Sequence, residues 1–132
     1  MKAFIRIAEI LLGAIFLGAG LNGYGVLFGF EPFAPTSPAA MEFLGNGYLL
    51  ALEKGVEIIA GFLLLIRRFV PLALTVLAGI VVNILAFHIF VDSELLALAI
   101  LVAFLEGTIA WHYRDSFKGL LESKPNAAKG KF

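Results

Sequence analysis

"LLALEKGVEIIAGFLLLIRR", Leu49 to Arg68, decides how the chain is read. A bilayer core about 30 Å thick needs about 20 mostly apolar helical residues, and this stretch has that length and character. Yet it carries Glu53, Lys54 and Glu57. A charge at a helix centre costs about 2.5 to 3.5 kcal/mol on the insertion scale, and each Leu, Ile, Val or Phe returns about 0.3 to 0.6. Three charges therefore roughly cancel the apolar gain of the whole segment, and the helix is stable in lipid only if its neighbours receive them. At about 100° per residue, Glu53 and Glu57 share one face with Lys54 beside them and Gly61 a turn further on. Leu52, Val56, Ile59 and Leu63 make the opposite, lipid-facing stripe.

The rest of the chain agrees with a membrane setting. It has 132 residues, 61% hydrophobic and 15% charged, with a mean hydropathy of +0.96. That is too apolar for a soluble domain and too short for more than one. A net charge of zero gives no sign of nucleic-acid binding. With no Cys, the chain holds neither disulfide nor thiol redox centre nor thiolate metal site. Four segments are long and apolar enough to cross, at about 5–28, 48–66, 69–91 and 95–113. They do not alternate as barrel strands do, so the expected fold is all-α: an integral membrane up-down four-helix bundle over 1–114 with a polar tail over 115–132. The first span, preceded by Lys2 and Arg6, is longer than a signal peptide's apolar region and reads as a retained helix.

Charge sets the orientation. Of ten Lys and Arg, nine lie in Lys2 and Arg6, in Arg67 and Arg68, and in the tail from Arg114 to Lys131. All three groups fall on one side of an up-down topology, while the loops from Gly29 to Gly47 and from Asp92 to Glu94 contain only acidic charges. The positive-inside rule then places both termini in the cytoplasm. In the first outer loop Ser37 is a natural N-cap, Pro38 suits the first helical position and Gly45 a stop, so a short interfacial helix is expected over Pro38 to Leu44. Phe30, Phe33, Phe43 and Tyr48 on that side, and Trp111 and Tyr113 on the other, read as aromatic belts. Ala14 with Gly18, Ala19 with Gly23 and Gly25 with Gly29 are spaced for close helix packing. From Glu122 onward the tail reads as a solvated segment.

Each span brings a polar group: Asn22, then Lys54 and Glu57, then Asn83 and His88, then Glu106. Counting a rise of about 1.5 Å per residue, His88 lies roughly 5 Å below the outer surface, Lys54 and Asn22 roughly 9 Å, Asn83 and Glu57 roughly 12 to 14 Å, and Glu106 roughly 16 Å. Apart from Arg6 and Glu9, the cytoplasmic halves are almost purely apolar. One polar pocket open to the outer leaflet is expected. Glu53, Glu57 and Glu106 against Lys54 leave an excess of two negative charges, so a carboxyl keeps its proton, His88 gains one, or a cation binds. Glu57 and Glu106 are the candidates for proton transfer, and Asn22, Lys54, Asn83 and His88 for ligand binding. No Glu-x-x-His pair suggests a metal site.

With these residues in view, the sequence resembles the DoxX family of small bacterial four-helix membrane proteins. The resemblance runs from about Ile5 to Leu121. It rests on "GLNGY" closing the first span, "KGVEIIAGFLLLIRRFVPLAL", "VVNILAFHIF", and a Glu followed by "AWHYRDSFKGLL". Gly23 stands where the family commonly has Lys after Gly-Leu-Asn. The resemblance implies the bacterial inner membrane and association with redox chemistry, the family's name coming from a membrane subunit of a thiosulfate:quinone oxidoreductase. The first functional expectation is therefore a redox-associated membrane subunit that binds a quinone or other small apolar ligand, with electrons supplied by a soluble or membrane partner protein. The alternative is a non-enzymatic scaffold or assembly chaperone whose buried polar residues only fix helix packing.

Overall fold

In a computed structural model, residues 2–34 and 36–124 are described. They form helices and turns, with no strand among the described residues. The helices are α1 (Lys2–Leu27), α2 (Pro38–Leu44), α3 (Tyr48–Ile66), α4 (Val70–Phe90) and α5 (Leu96–His112), followed by a 3-10 helix at Arg114–Leu121. The long helices end within a few residues of the expected segments, and α2 has the expected bounds. The solvated tail expected from Glu122 falls mostly on 125–132, outside the described residues.

The long helices pack as a ring: α1 against α3 and α5, and α4 against α3 and α5. Neighbours run antiparallel. Arg6 near the start of α1 donates from Nη2 to the carbonyl of Leu65 near the end of α3 (2.7 Å), and Tyr113 just beyond α5 reaches Glu9 of α1. The molecule therefore has a terminal end, carrying Lys2, Arg67 and Tyr113, and an α2 end. Leu12, Phe16, Leu64, Leu74, Leu77 and Ile109 form the buried centre. Large apolar side chains also cover the outside, among them Ile7, Leu52, Ile59, Leu72, Val82 and Phe104. Of the expected α3 stripe, Leu52 and Ile59 are exposed, whereas Val56 and Leu63 are half-buried.

Among the described residues, three stretches are long and apolar enough to cross a membrane: Lys2–Leu27, Val70–Phe90 and Ser93–His112. α3 has 19 residues but carries Glu53, Lys54 and Glu57, which set it apart in composition.

α3 meets α1 backbone to backbone. A Cβ on Gly61 would stand 2.7 Å from the Leu17 nitrogen and 2.8 Å from the Gly13 carbonyl oxygen, and one on Gly20 would stand 2.8 Å from the Lys54 oxygen. The face that makes this approach is Gly13, Gly20 and Gly23. Of the small pairs expected to pack, Gly23 belongs to it, while Ala14 is exposed and Gly18 has open space where its Cβ would be. The seam follows the buried face of α1, and a small-xxx-small spacing alone does not say which face is buried.

The α3–α4 connection is as short as "RRF" suggests. Arg67 and Phe69 both take the left-handed conformation, at φ 55° and 54°, which costs a non-glycine residue about 1 kcal/mol or more. The Arg67 and Arg68 N–H groups donate to the Leu64 (3.3 Å) and Leu63 (3.0 Å) carbonyls, closing the end of α3 as such caps do. Glycine would sit there with less strain, but glycine has no side chain to reach Glu9.

Candidate polar site at the α2 end

The polar residues expected to line one pocket occupy separate places. On α3, Lys54 Nζ lies 3.3 Å from Glu57 Oε1 and 3.5 Å from Glu53 Oε1. The Glu57 side chain is 2% exposed and that of Lys54 15%, so the ion pair is nearly sealed inside the α1–α3 contact. The Lys54 methylenes lie across Gly23, close enough that a Cβ there would clash with Lys54 Cγ. Gly23 is thus the residue over which the lysine stem passes. Tyr24 donates from its hydroxyl to the Ala51 carbonyl (2.7 Å) one turn before Lys54.

Asn22 faces elsewhere. Its Oδ1 accepts from the Phe33 N–H (2.8 Å) and its Nδ2 lies 3.5 Å from the Ala34 oxygen, so the amide holds the loop that leads to α2. Ser37 caps α2 by accepting from the Ala40 N–H (3.3 Å). Its hydroxyl also donates to Asp92 Oδ2 at 2.5 Å, joining α2 to the turn between α4 and α5. That hydroxyl and the Glu94 N–H hold the Asp92 carboxyl below its ordinary 3.8. Phe43 packs on Phe87 with ring centres 6.1 Å apart.

Beneath α2 lies a cleft of about 50 Å³ where Glu53, Asn83 and His88 come together, covered by Ala40, Phe43 and Leu44. His88 is buried, with Nδ1 2.8 Å from the Asp92 carbonyl oxygen. A carbonyl can only accept, so Nδ1 carries the proton, and in the neutral ring Nε2 is left as an acceptor. Asn83 is exposed, and its side-chain amide makes no hydrogen bond among the described residues. Glu53 belongs both to this cleft and to the Lys54 cluster. The space admits a few water-sized groups or one carbonyl edge, well below the 300–1,000 Å³ of an enclosing ligand pocket.

Glu106 stands apart. It is 9% exposed, its Oε1 has no hydrogen-bond partner among the described residues, and it does not line the cleft. No three His, Asp or Glu side chains gather in metal-binding fashion among the described residues.

At the terminal end a cluster lies where sequence reading expected almost only apolar packing. Glu9 is fully buried. Tyr113 donates its hydroxyl to Glu9 Oε2 (2.6 Å), Arg67 Nε stands 2.8 Å from Oε1, and Arg6 Nη1 stands 3.6 Å from it. The Arg67 contact is an ion pair rather than an aligned hydrogen bond. One carboxylate thus ties α1 to the α3–α4 turn and to the end of α5. The signal was present in the Arg6–Glu9 spacing inside an apolar run, but nothing local named Arg67 or Tyr113 as partners.

No family model, curated protein or solved structure matches the chain. Functional reading therefore rests on the cleft, the buried charges and the apolar exterior.

Proposed function

We infer that this chain is an integral membrane protein of four spanning helices in a bacterial inner membrane, with both termini cytoplasmic. Its α2 end binds the carbonyl end of a small apolar molecule of quinone type, and it serves as the membrane subunit of a redox assembly. Membrane insertion is supported by three crossing-competent helices and by an exterior of exposed Leu, Ile, Val and Phe that water would penalise. α3 joins them because its charges are sheltered: the Lys54 stem lies over Gly23 of α1, and the Glu57 carboxylate it pairs with is buried. In this setting α2 lies at the outer interface.

The observation that carries the ligand reading is Asn83. An amide on the lipid-facing surface of a membrane helix without a partner is costly, and this one borders a cleft shared with Glu53 and His88. A ligand carbonyl would accept from the Asn83 amide while Glu53 stands near as a proton donor or acceptor. The ligand's apolar body would lie along α4 in lipid, since the cleft takes only its polar edge. Glu57, held by Lys54, is one residue-to-residue step behind Glu53 through that lysine, and Glu106 is a second carboxyl at depth. Cysteine is absent, so electrons come from a partner protein. The DoxX-like motifs belong to this same reading.

A scaffold or assembly chaperone is the second reading. It is favoured by how fully the other polar groups are engaged: Asn22 on the loop, Lys54 on Glu57, Glu9 on Arg67 and Tyr113. Mass spectrometry of small molecules that co-purify with the full chain separates the two. The ligand reading expects a quinone-like carbonyl compound that Asn83→Leu releases without loss of folded protein. Preparations free of any such compound, or equal retention by the variant, would leave the scaffold reading.

A further inference from the structure

A larger hollow than the cleft lies at the other end, and the proposed ligand does not use it. Between the start of α1 and the second half of α5 runs a groove of about 680 Å³. Its walls are apolar, with Phe4, Phe104 and Gly107 among them, and its rim carries Trp111, His112 and Arg114. Thr108 also lines it, but its hydroxyl donates to the Phe104 carbonyl within the helix (2.8 Å) and offers that hydrogen to nothing else.

Arg114 is the informative residue. Its guanidinium lies 4.7 Å over the Trp111 ring and donates from Nη1 to the Trp111 carbonyl (2.9 Å). Stacking and one hydrogen bond fix the group at the rim while most of its donors stay open. No carboxylate pairs with it among the described residues, although Arg6, Arg67 and Lys118 each have one. An oriented, unneutralised guanidinium at the mouth of an apolar groove complements an anionic head on an apolar chain. Planar donors suit phosphate oxygens in pairs, and Trp marks the depth at which headgroups sit.

We propose that the α1–α5 groove is a binding site for an anionic phospholipid of the cytoplasmic leaflet, one acyl chain between Phe4 and Phe104 and the phosphate on Arg114. This rests on the membrane-spanning reading above and is independent of the ligand at the α2 end. Charge distinguishes the occupant from a zwitterionic lipid, whose choline would bring a second cation beside Arg114. A second copy of the chain fits less well. A two-fold contact through this face would set hollow against hollow and bring two unpaired guanidinium groups to one rim.

Gly107 supplies a clean test, because a Cβ there would meet no atom within 4 Å. Gly107→Leu fills the groove from an open position and also raises helix propensity, so the fold is kept. The full chain in detergent would be titrated with phosphatidylglycerol and with phosphatidylcholine of the same acyl chains, and bound lipid read by native mass spectrometry. The wild type is expected to prefer phosphatidylglycerol. Arg114→Ala should weaken its binding about tenfold and abolish the preference, Arg114→Lys should retain part of it, and Gly107→Leu should lose the bound lipid. Equal binding of the two lipids, or unchanged binding in Arg114→Ala and Gly107→Leu, overturns the proposal. So does a Gly107→Leu that dissociates an oligomer without altering lipid binding, which would assign the groove to a second copy. Alkaline carbonate extraction separates the premises: a chain released from membranes ends both readings, while a retained chain without lipid preference ends only this one.

Discussion

Adding one methyl group at Gly61 and one at Gly79 should change stability in opposite directions. Both residues are in helix interiors, where Gly→Ala is worth about 1 kcal/mol of intrinsic helix propensity. At Gly79 the new Cβ meets nothing within 4 Å, so that gain is all there is. At Gly61 it would stand 2.7 Å from the Leu17 nitrogen and 2.8 Å from the Gly13 oxygen. Ordinary contacts begin near 3.4 Å, so α1 and α3 must part by roughly 0.6 Å, and the opposing atoms are backbone and cannot rotate away. A gap of about 0.5–1 Å forfeits a quarter to a half of each dispersion contact along the seam. Overpacking of this kind costs about 1–3 kcal/mol. With the loss of contacts set against the propensity gain, Gly61→Ala should be destabilised by about 1–3 kcal/mol while Gly79→Ala is neutral or up to about 1 kcal/mol more stable. Thermal unfolding in one detergent, followed by loss of monodisperse protein, reads the difference directly. Gly23→Ala should fall between them, because the atoms it meets belong to the flexible Lys54 side chain. A Gly61→Ala variant as stable as Gly79→Ala would refute the backbone seam.

The terminal-end cluster predicts an asymmetry. Arg67→Ala leaves the fully buried Glu9 with only Tyr113 and the more distant Arg6, and should cost about 3 kcal/mol. Glu9→Gln leaves Arg67 half in solvent and should cost less, and the double variant should be more stable than the sum of the two in a thermal-unfolding cycle. On α3, Lys54→Met should destabilise the chain by about 3–5 kcal/mol by stranding Glu57, and adding Glu57→Leu should recover most of the loss in the same assay. At the α2 end, Asp92 has a carboxyl lowered by the Ser37 hydroxyl and the Glu94 N–H. A lowered value means its hold on α2 is complete above 3.8 and disappears as the pH falls through the lowered folded value. Hydrogen exchange of the amides at 39–44 should therefore be faster in Ser37→Ala than in wild type at pH 5–8, with the difference shrinking in stronger acid to the part due to the lost cap on the Ala40 N–H.

The elements were legible because their signals are local. Apolar length gave the long helices, and Ser37 with Pro38 and Gly45 gave α2 to the residue. The charge pattern of Glu53, Lys54 and Glu57 pointed inward from α3, where the Lys54 stem crosses Gly23 of α1, Glu57 is buried and Glu53 borders the cleft beside Asn83 of α4. What depth counting could not supply was direction around each axis. Asn22 and Glu57 lie at similar expected depths, yet one turns to the loop and the other pairs with Lys54 of its own helix. The expected single pocket therefore became a small cleft, a sealed ion pair, a loop anchor and a solitary Glu106. Glu9 was misjudged for the complementary reason. Its partners Arg67 and Tyr113 are distant in sequence, and only the ring of helices brings all three to one point.

On the membrane-spanning reading proposed above, the seam between α1 and α3 would also impose an order on biosynthesis. α3 leaves an insertion channel with its apolar gain nearly cancelled by its charges, so by itself it has little reason to remain in lipid rather than slip through. α1 is translated first, and its Gly13–Gly20–Gly23 face is complete before α3 emerges. Retention of α3 is then a docking event between a waiting receptor and a late passenger. A chain whose α1 face was blocked would lose more than packing: every later span would be threaded from the wrong side.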